Sequence, residues 1–399
     1  MSDTKKPELR FEGFNDDWEQ RKFSTFVQRE SVFRESSSEC PGVEYEDVIA
    51  EEGRLNKNVR QKETHKTGIV FDGTQVLYGK LRPYLHNWLS PDFTGVAVGD
   101  WWVLRPVGVD KKFLYRLLQT QQFDDVANQS SGSKMPRADW NLVSNTDFII
   151  PSSVDEQRQI AETFDDLDNL ITLHQRKYEK LLVIKKSMLG KMFPKAGEKV
   201  PEIRFAGFTD DWEQRKLGEL CERVTRKNIT GESDLPLTIA SQYGLIDQRD
   251  FFNKVVAAKD MSNYYLLKKG EFAYNKSYSN GYDFGSIKRL NAYEQGCLST
   301  LYICFGITSD DIESDYLECF FDTLKWYSDI TMICAEGARN HGLLNVDTKA
   351  FFDEVTIEMP SSKEEQRKIS SYLNNLDNLI TLHQREQNYL HLEKKYDWI

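Results

Sequence analysis

The sequence predicts an α+β fold: two α/β domains separated by an antiparallel pair of long helices, arranged as a pseudo-two-fold internal repeat. Two repeated segments lead to this prediction. Leu-Asp-Asn-Leu-Ile-Thr-Leu-His-Gln-Arg occurs without any difference at 167–176 and at 376–385. A head block at 7–22 returns almost unchanged at 201–216. Because a long internal repeat determines architecture more firmly than local propensity does, the chain is interpreted as head, middle, helix, repeated once.

The two middles, 23–150 and 217–359, show no alignable similarity, although their flanks are repeated. Repeated flanks around dissimilar middles indicate that the flanks meet the same partner twice, whereas the middles meet two different targets. Drift of loops on one duplicated scaffold is the alternative. The predicted segments are a first domain at 1–150, a helical spacer at 151–200, a second domain at 201–359 and a C-terminal helical spacer at 360–399.

Each helical segment begins after a Pro-Ser-Ser sequence, at 151–153 and 360–362, which is typical of a helix start. Apolar residues then recur every three or four positions, so a helix of roughly forty residues, about 60 Å long, is expected. The two helices are expected to pair, although each could instead pack on its own domain. After Arg385 the second copy lacks the basic, methionine-containing end of the first. The residues expected to pair the helices are Leu167, Ile171, Tyr178, Leu181, Leu376 and Ile380.

Composition excludes several classes of protein. Of the 399 residues, 29% are charged and 39% hydrophobic, and no apolar run reaches the length of a membrane span. With no apolar signal-peptide core after Met1, a cytoplasmic location without a membrane partner is expected. The six cysteines form no Cys-x-x-Cys pair, and no two histidines lie three to five residues apart, so neither a disulfide framework nor a metal site is expected.

The net charge of −11 argues at first sight against a nucleic-acid partner, but the cations are clustered. The first middle has strand-like runs at 68–71, 75–78, 96–98 and 101–104, and a predicted helix at 111–127. Cations, aromatics and small residues gather in its loops, where they suit phosphate and base-edge contacts; solvated loops are the alternative. A further basic segment spans 54–62, with Lys66 beyond it. The candidate binding residues in this middle are Lys80, Arg82, Tyr84, Ser133, Lys134 and Arg137.

The second middle repeats this style with different residues. Its loops are dense in amides, hydroxyls and aromatics, and asparagine and arginine are the side chains that pair with adenine and guanine edges. Tight turns with incidental polar tips are the alternative. The candidate binding residues are Asn275, Lys276, Tyr278, Asn280, Lys288, Arg339, Asn340 and His341.

Familiar catalytic motifs are missing. The sequence has no Gly-x-x-x-x-Gly-Lys-Ser/Thr phosphate loop, no Gly-x-Ser-x-Gly elbow, no His-Glu-x-x-His and no Asn/Asp-Pro-Pro-Tyr/Phe tetrapeptide. These absences favour a chain without its own active site. The repeated tryptophans, Trp18 and Trp212, are expected to seat each head block on its own domain.

The order of these motifs closely resembles the specificity subunit of bacterial Type I restriction-modification enzymes, over essentially the whole chain. The resemblance rests on the head block, the Pro-Ser-x-x-x-Glu-Gln-x-x-Ile and Leu-Asp-x-Leu-Ile helices, and the middle segments 78–83, 274–281 and 336–342.

This resemblance implies that the middles are target recognition domains, each recognising one half of a split site in double-stranded DNA, and that the helices set the gap. It implies two methylation subunits, which bring S-adenosylmethionine, and restriction subunits, which bring ATP with Mg²⁺; no cofactor is expected on this chain. A stand-alone DNA-modifying enzyme and a pure protein-interaction scaffold are the alternative functions.

Overall fold

The computed structural model describes residues 7, 9–62, 65–129, 135–240, 244–252, 257–278, 281–340 and 343–395, with the side chains of 335–340, 343 and 395 left aside. The chain divides into two units: unit 1 is Met1–Gln175 with Arg385–Ile399, and unit 2 is Arg176–Gln384. These units cut across the four predicted segments, because each unit contains part of both long helices.

In the described part of unit 1, twelve short strands and four short helices precede the first long helix. The strands are β1 Glu19–Lys22, β2 Val27–Arg29, β3 Phe33–Glu35, β4 Gly42–Val43, β5 Val48–Ile49, β6 Arg54–Leu55, β7 Thr67–Phe71, β8 Val76–Gly79, β9 Trp88–Leu89, β10 Gly95–Ala97, β11 Trp101–Pro106 and β12 Asp147–Ile150. The helices are α1 Phe23–Phe26, α2 Lys111–Leu117, α3 Gln121–Ala127 and α4 Trp140–Asn145, with 3-10 turns at Tyr45–Asp47, Val59–Gln61 and Pro83–Leu85.

Two four-stranded sheets form the centre of unit 1, in the orders β3-β7-β10-β4 and β2-β11-β8-β9. Strands β8 and β11 are buried on both faces. Side chains alternate along a strand, so Tyr78 and Trp102 belong to the core cluster that includes α1 to α4, whereas Leu77 and Trp101 belong to a second core cluster with β4, β7 and β10. This two-sided burial explains the continuous apolar runs that identified both strands in the sequence.

The helix predicted at 111–127 is wrong in one respect, because the structure has two helices there. α2 ends at Leu117, and α3 begins after Thr120, whose hydroxyl accepts from the Phe123 amide at 3.3 Å. A side-chain cap of this kind satisfies an amide that a continuous helix would have bonded to its own backbone.

Unit 2 has the same style of elements. Its strands are β13 Glu213–Lys216, β14 Cys221–Arg223, β15 Leu237–Ala240, β16 Gly244–Asp247, β17 Tyr265–Lys268, β18 Phe272–Asn275, β19 Ser286–Arg289, β20 Gln295–Leu298, β21 Ile303–Ile307, β22 Cys334–Asn340, β23 Leu343–Val346 and β24 Thr356–Met359. The long helix α5, Val154–Lys191, leads into it, and its short helices are α6 Leu217–Leu220, α7 Gln248–Phe252, α8 Ser314–Asp322, α9 Tyr327–Ile333 and α10 Thr348–Glu354.

The main sheet of unit 2 has the order β14-β21-β18-β19 and is also covered on both faces. Phe272 and Phe305 belong to the large core cluster that contains α8 and α10, while Ala273 and Cys304 face a smaller cluster with β15, β17 and β20. In each unit the head-block strand pairs antiparallel with the strand that precedes the long helix: β1 with β12 and β13 with β24.

The long helices begin where the sequence predicts. α5 starts at Val154, directly after Pro-Ser-Ser, and runs for 38 residues; α11, Lys363–Lys395, starts after the second Pro-Ser-Ser and runs for 33. Ser153 and Ser362 each accept from the amide three residues later, at 3.4 Å. Such contacts cap the free amides of a helix start.

The two helices run antiparallel. Within unit 1, Asp168 of α5 meets Lys394 of α11 at 2.6 Å, and within unit 2, Lys185 of α5 meets Asp377 of α11 at 2.7 Å. Residues later in α5 therefore contact residues earlier in α11, which is the antiparallel order. Each unit therefore contains one ion pair between the two helices.

The described cysteines form no disulfide bond. Both repeated tryptophans, Trp18 and Trp212, are buried, which confirms the structural role predicted for them. Across the described residues, no helix is both long enough and apolar enough to span a membrane.

Candidate nucleic-acid interface

A buried glutamate holds the head block of unit 1 on the start of α5. Arg10 donates two hydrogen bonds to Glu156, at 2.7 and 2.9 Å, and the Trp18 indole donates to the same carboxylate at 3.2 Å. The next residue, Gln157, donates to the Pro151 carbonyl at 2.8 Å and accepts from the Asp110 amide at 2.8 Å. The Glu-Gln pair of the helix motif therefore joins the head block, the helix and the middle.

Unit 2 repeats the arginine and glutamine contacts at the matching positions, whereas the Trp212 indole has no hydrogen-bond partner among the described residues. Arg204 donates to Glu365 at 2.7 and 2.9 Å, and Gln366 donates to the Pro360 carbonyl at 2.8 Å while accepting from the Glu313 amide at 2.8 Å. The hydrogen bond with Glu365 raises the pKa of the Arg204 guanidinium. Arg204 therefore stays charged and neutralises the buried carboxylate. One framework thus carries both middles.

In unit 1, Asp100 gathers two of the candidate cations. Arg137 donates to it at 3.0 Å and Lys80 lies 3.6 Å from it, and the Arg137 hydrogen bond holds the pKa of Asp100 below its usual range. Tyr45 links the same place, since its hydroxyl donates to the Asp100 carbonyl and accepts from the Leu81 amide. Neither Asp100 nor Tyr45 is recognisable from the sequence as part of this site, because their partners lie far away in the chain.

Arg82 and Tyr84 lie on a strained turn that follows this cluster. Arg82 has φ 49° and His86 has φ 53°, both in the left-handed region that non-glycine residues rarely adopt, and they flank the 3-10 turn Pro83–Leu85. The Arg82 amide donates to the Pro136 carbonyl at 2.7 Å, and His86 lies 2.9 Å from Asp124. The turn is held at both ends and leaves the Arg82 and Tyr84 side chains exposed.

In unit 2, the candidate loop after β18 places Asn275, Lys276 and Tyr278 together. The Asn275 side chain accepts from the Ser277 amide at 3.0 Å, the Lys276 carbonyl accepts from the Leu344 amide at 3.0 Å, and Tyr278 is exposed. Arg339 and Asn340 belong to β22, which pairs with β23. Ser133, Lys134, Asn280 and His341 lie outside the described residues, as do the side chains of Arg339 and Asn340.

Lys288 is a correction to the predicted set. Its ammonium donates to Asp322 at 2.6 Å, and Asp322 also accepts from Lys185 at 3.2 Å. Burial opposes the charge, but Asp322 outweighs that effect and raises the pKa of Lys288. A cation neutralised inside the domain is structural, so we remove Lys288 from the candidate DNA contacts. The basic segment at 54–62 is largely paired as well: Lys57 and Lys62 both contact Asp47, at 2.9 and 2.5 Å.

The six residues predicted to pair the helices lie at different depths. Leu376 and Ile380 are buried, Leu167 and Leu181 are half-buried against the cores of their own units, and Ile171 and Tyr178 are half-buried. Three other leucines of α5, Leu170, Leu173 and Leu182, are exposed. Among the described residues, no group of three or more histidines, cysteines and carboxylates could hold a metal ion.

Comparisons with known proteins agree with this arrangement. The family model described as the Type I restriction modification DNA specificity domain matches residues 17–183 and 209–392. The specificity subunit of the Type I restriction enzyme MjaVIII from Methanocaldococcus jannaschii is 29% identical over 116 residues, which are 28% of this chain and 27% of that protein. The aligned region therefore spans about a quarter of that relative.

Two solved structures share the fold over nearly the whole chain. The S subunit of a Type I restriction-modification system from M. genitalium has a TM-score of 0.58 at 14% identity and covers 97% of this chain and 96% of its own. A chain solved in work on complex assembly and conformational transition of the type I R-M system has a TM-score of 0.50 at 18% identity, covering 95% and 94%. With two family-model matches that together take in most of the sequence, this chain belongs to the Type I restriction modification DNA specificity family.

Proposed function

We propose that this chain is the DNA sequence-recognition subunit of a Type I restriction-modification complex. Each middle recognises one half of a bipartite DNA target, and the helix pair sets the gap between the halves. The observation that carries this proposal is the repeated framework: Arg10 with Glu156 and Arg204 with Glu365 attach the head blocks that precede two unlike middles to the long helices in the same way. Two dissimilar middles attached through the same contacts suit a DNA target with two different halves.

The helices also supply docking surfaces for two methylation subunits. Leu170 and Leu173 of α5 are 43% and 45% exposed, and their repeat equivalents in α11, Leu379 and Leu382, are 43% and 48% exposed. Exposed apolar side chains that lie close together mark interaction sites. Because the surrounding ten residues are identical in the two helices, the two patches suit two copies of one partner.

The chain contributes recognition and no catalytic group under this proposal. The methylation subunits bind S-adenosylmethionine, and the restriction subunits bind ATP and Mg²⁺, all in the cytoplasm where the host DNA lies. Support comes from the family and from the missing catalytic motifs.

A binding experiment tests the proposal. The purified chain, alone and with its methylation subunits, is incubated with a randomised duplex library, and bound sequences are selected. We expect enrichment of two short half-sites at a constant spacing, much stronger when the methylation subunits are present. Methyl transfer or cleavage by the chain alone would support a stand-alone enzyme instead. Absence of DNA binding in every combination would support a protein-interaction scaffold.

A further inference from the structure

Two cations of unit 2 converge on one tyrosine at the edge of the main sheet. Arg223, the last residue of β14, donates to the Tyr265 hydroxyl at 3.0 Å. The Lys227 ammonium lies 3.7 Å from the centre of the Tyr265 ring, which is a cation–π contact. Tyr265 itself is buried, so its position is fixed by the domain core and it orients both side chains.

A third cation, Lys276, directly follows β18, which lies in the same sheet as β14 with only β21 between them. It is half-buried directly after β18, and burial together with the nearby Arg223 guanidinium lowers its pKa. The backbone around it is anchored by the hydrogen bond from the Leu344 amide to its carbonyl. Arg223, Lys227 and Lys276 therefore form one basic cluster, which we call the Tyr265 cluster.

The three cations of the Tyr265 cluster form no ion pair in the part of the chain that the structure describes. None of its three cations has a carboxylate within ion-pair distance there, whereas the neighbouring Arg226 meets Glu271 at 2.7 Å and Lys269 meets Glu294 at 2.7 Å. The imbalance is unusual in a chain with 63 acidic and 52 basic residues. Like charges that are held together and partly desolvated repel each other, and an arriving anion relieves that repulsion.

We propose that Arg223, Lys227 and Lys276 bind a backbone phosphate of duplex DNA and so anchor unit 2 on its half-site. This inference rests on the proposed function, which supplies the DNA, and it assigns these residues to the sequence-independent part of binding. Phosphate contacts fix the position of a protein on the duplex, whereas base contacts determine which sequence is preferred. Base recognition then falls to other side chains of the unit, such as that of Asn275, which precedes Lys276 in the chain.

The phosphate assignment predicts a distinctive pattern of loss. Arg223→Gln, Lys227→Gln and Lys276→Gln should each weaken binding to target and scrambled duplexes by the same factor, about tenfold for a charge-assisted contact. Each should also reduce the slope of log affinity against log salt by about 0.9, the value expected for one lost phosphate contact. The ratio of target to scrambled affinity should stay as in the wild type.

The experiment uses the full chain assembled with its methylation subunits, with fluorescence anisotropy on a target duplex and a scrambled duplex over a series of salt concentrations. Lys269→Gln is the matched control, since it removes one lysine of the same unit that has an acid partner, Glu294. Arg223→Lys keeps the charge and should retain most of the salt slope. Thermal melting of Lys276→Gln should be unchanged or higher, because the variant removes a disfavoured half-buried charge.

The outcomes separate the two proposals. Equal losses on both duplexes with a lower salt slope support the phosphate site. If the wild type prefers its target but the three variants behave like Lys269→Gln, or lose affinity for the target alone, the phosphate site is wrong while the proposed function stands. If the wild type shows no preference for any bipartite duplex, both proposals fail.

Discussion

Lys185 of α5 forms an ion pair with Asp377 of α11 at 2.7 Å. The two residues at the equivalent positions of the repeat also form an ion pair with each other. The repeat offset of 209 residues, from 168 to 377, also relates Lys185 to Lys394, and Lys394 meets Asp168 at 2.6 Å. Each helix therefore supplies one lysine and one aspartate to the other.

The two pairs should contribute unequally to stability. Lys185 is 18% exposed and also meets Asp322, whereas Lys394 is 28% exposed and its partner Asp168 is already held by Arg116. We expect Lys185→Met to lower the free energy of unfolding by about 2 kcal/mol, because it removes one of the two cations that neutralise Asp322 and leaves only Lys288. Lys394→Met should cost less than about 1 kcal/mol, as more exposed pairs do.

Urea denaturation of both variants measures this difference. The exposed neighbour Lys186 provides the control variant Lys186→Met, which should change the midpoint very little. Equal losses for Lys185→Met and Lys394→Met would show that the interior network around Asp322 adds nothing.

The ion pairs that attach the head blocks to the long helices, Arg10 with Glu156 and Arg204 with Glu365, should contribute strongly to the free energy of unfolding. Glu365 is 1% exposed, so Arg204→Met leaves a buried carboxylate uncompensated and should cost about 3 kcal/mol. Arg204→Met combined with Glu365→Gln should recover part of this loss, because the buried charge is removed as well. Chemical denaturation followed by tryptophan fluorescence measures both. Lys191→Met, which breaks an exposed ion pair with Glu202, is the control and should have a small effect. An equally small effect of Arg204→Met would contradict the stabilising role of the Arg204–Glu365 pair.

Acid should weaken the network inside unit 2. Burial opposes the charge of Asp322, but Lys288 and Lys185 outweigh burial and lower its pKa below the ordinary value of 3.8. A lowered folded-state pKa contributes stability above the unfolded pKa, and that stability is lost as the pH falls through the folded value. The difference in unfolding midpoint between wild type and Asp322→Asn should therefore be large at about pH 7 and shrink towards about pH 3.

Parallel urea titrations at the two pH values measure this change. The exposed Asp310→Asn, which has no ion-pair partner among the described residues, should differ little from wild type at either pH. A difference for Asp322→Asn that stays constant with pH would contradict the assignment.

The exposed leucines of the repeat should matter for assembly and not for folding. Leu170→Glu with Leu173→Glu should leave thermal melting unchanged, because both side chains are exposed, and should remove one of two methylation subunits. Leu379→Glu with Leu382→Glu should remove the other, and all four changes together should abolish binding. Mass measurement of the assembled complex counts the subunits. Val183→Glu, an exposed apolar position of α5 outside the repeat, is the control.

Local patterns predicted the framework well. Pro-Ser-Ser marked the starts of both long helices, and apolar runs marked β7, β8, β10 and β11. These signals succeed because helix starts and two-sided strands depend on neighbouring residues. The break between α2 and α3 was missed because a single hydroxyl, that of Thr120, decides it.

Side-chain partners were harder to foresee. Lys288 was misassigned because its neutralising Asp322 lies 34 residues further along the chain, and only the fold brings the two together. Conversely, Arg223 and Lys227 were not among the predicted binding residues. The tyrosine that holds them, Tyr265, lies 42 residues beyond Arg223 in the chain. The end of α11, which departs from the repeat after Arg385, nevertheless keeps Lys394 at the position equivalent to Lys185.

Mapping methylated bases in DNA from cells that express the chain with its methylation subunits tests the central claim most directly. The account predicts one discontinuous target, with two unlike half-sites at a constant spacing. Arg82→Ala should relax the sequence requirement of one half only, and Asn275→Ala that of the other. A single continuous target, or two variants that relax the same half, would contradict the claim that two unlike domains divide the recognition between them.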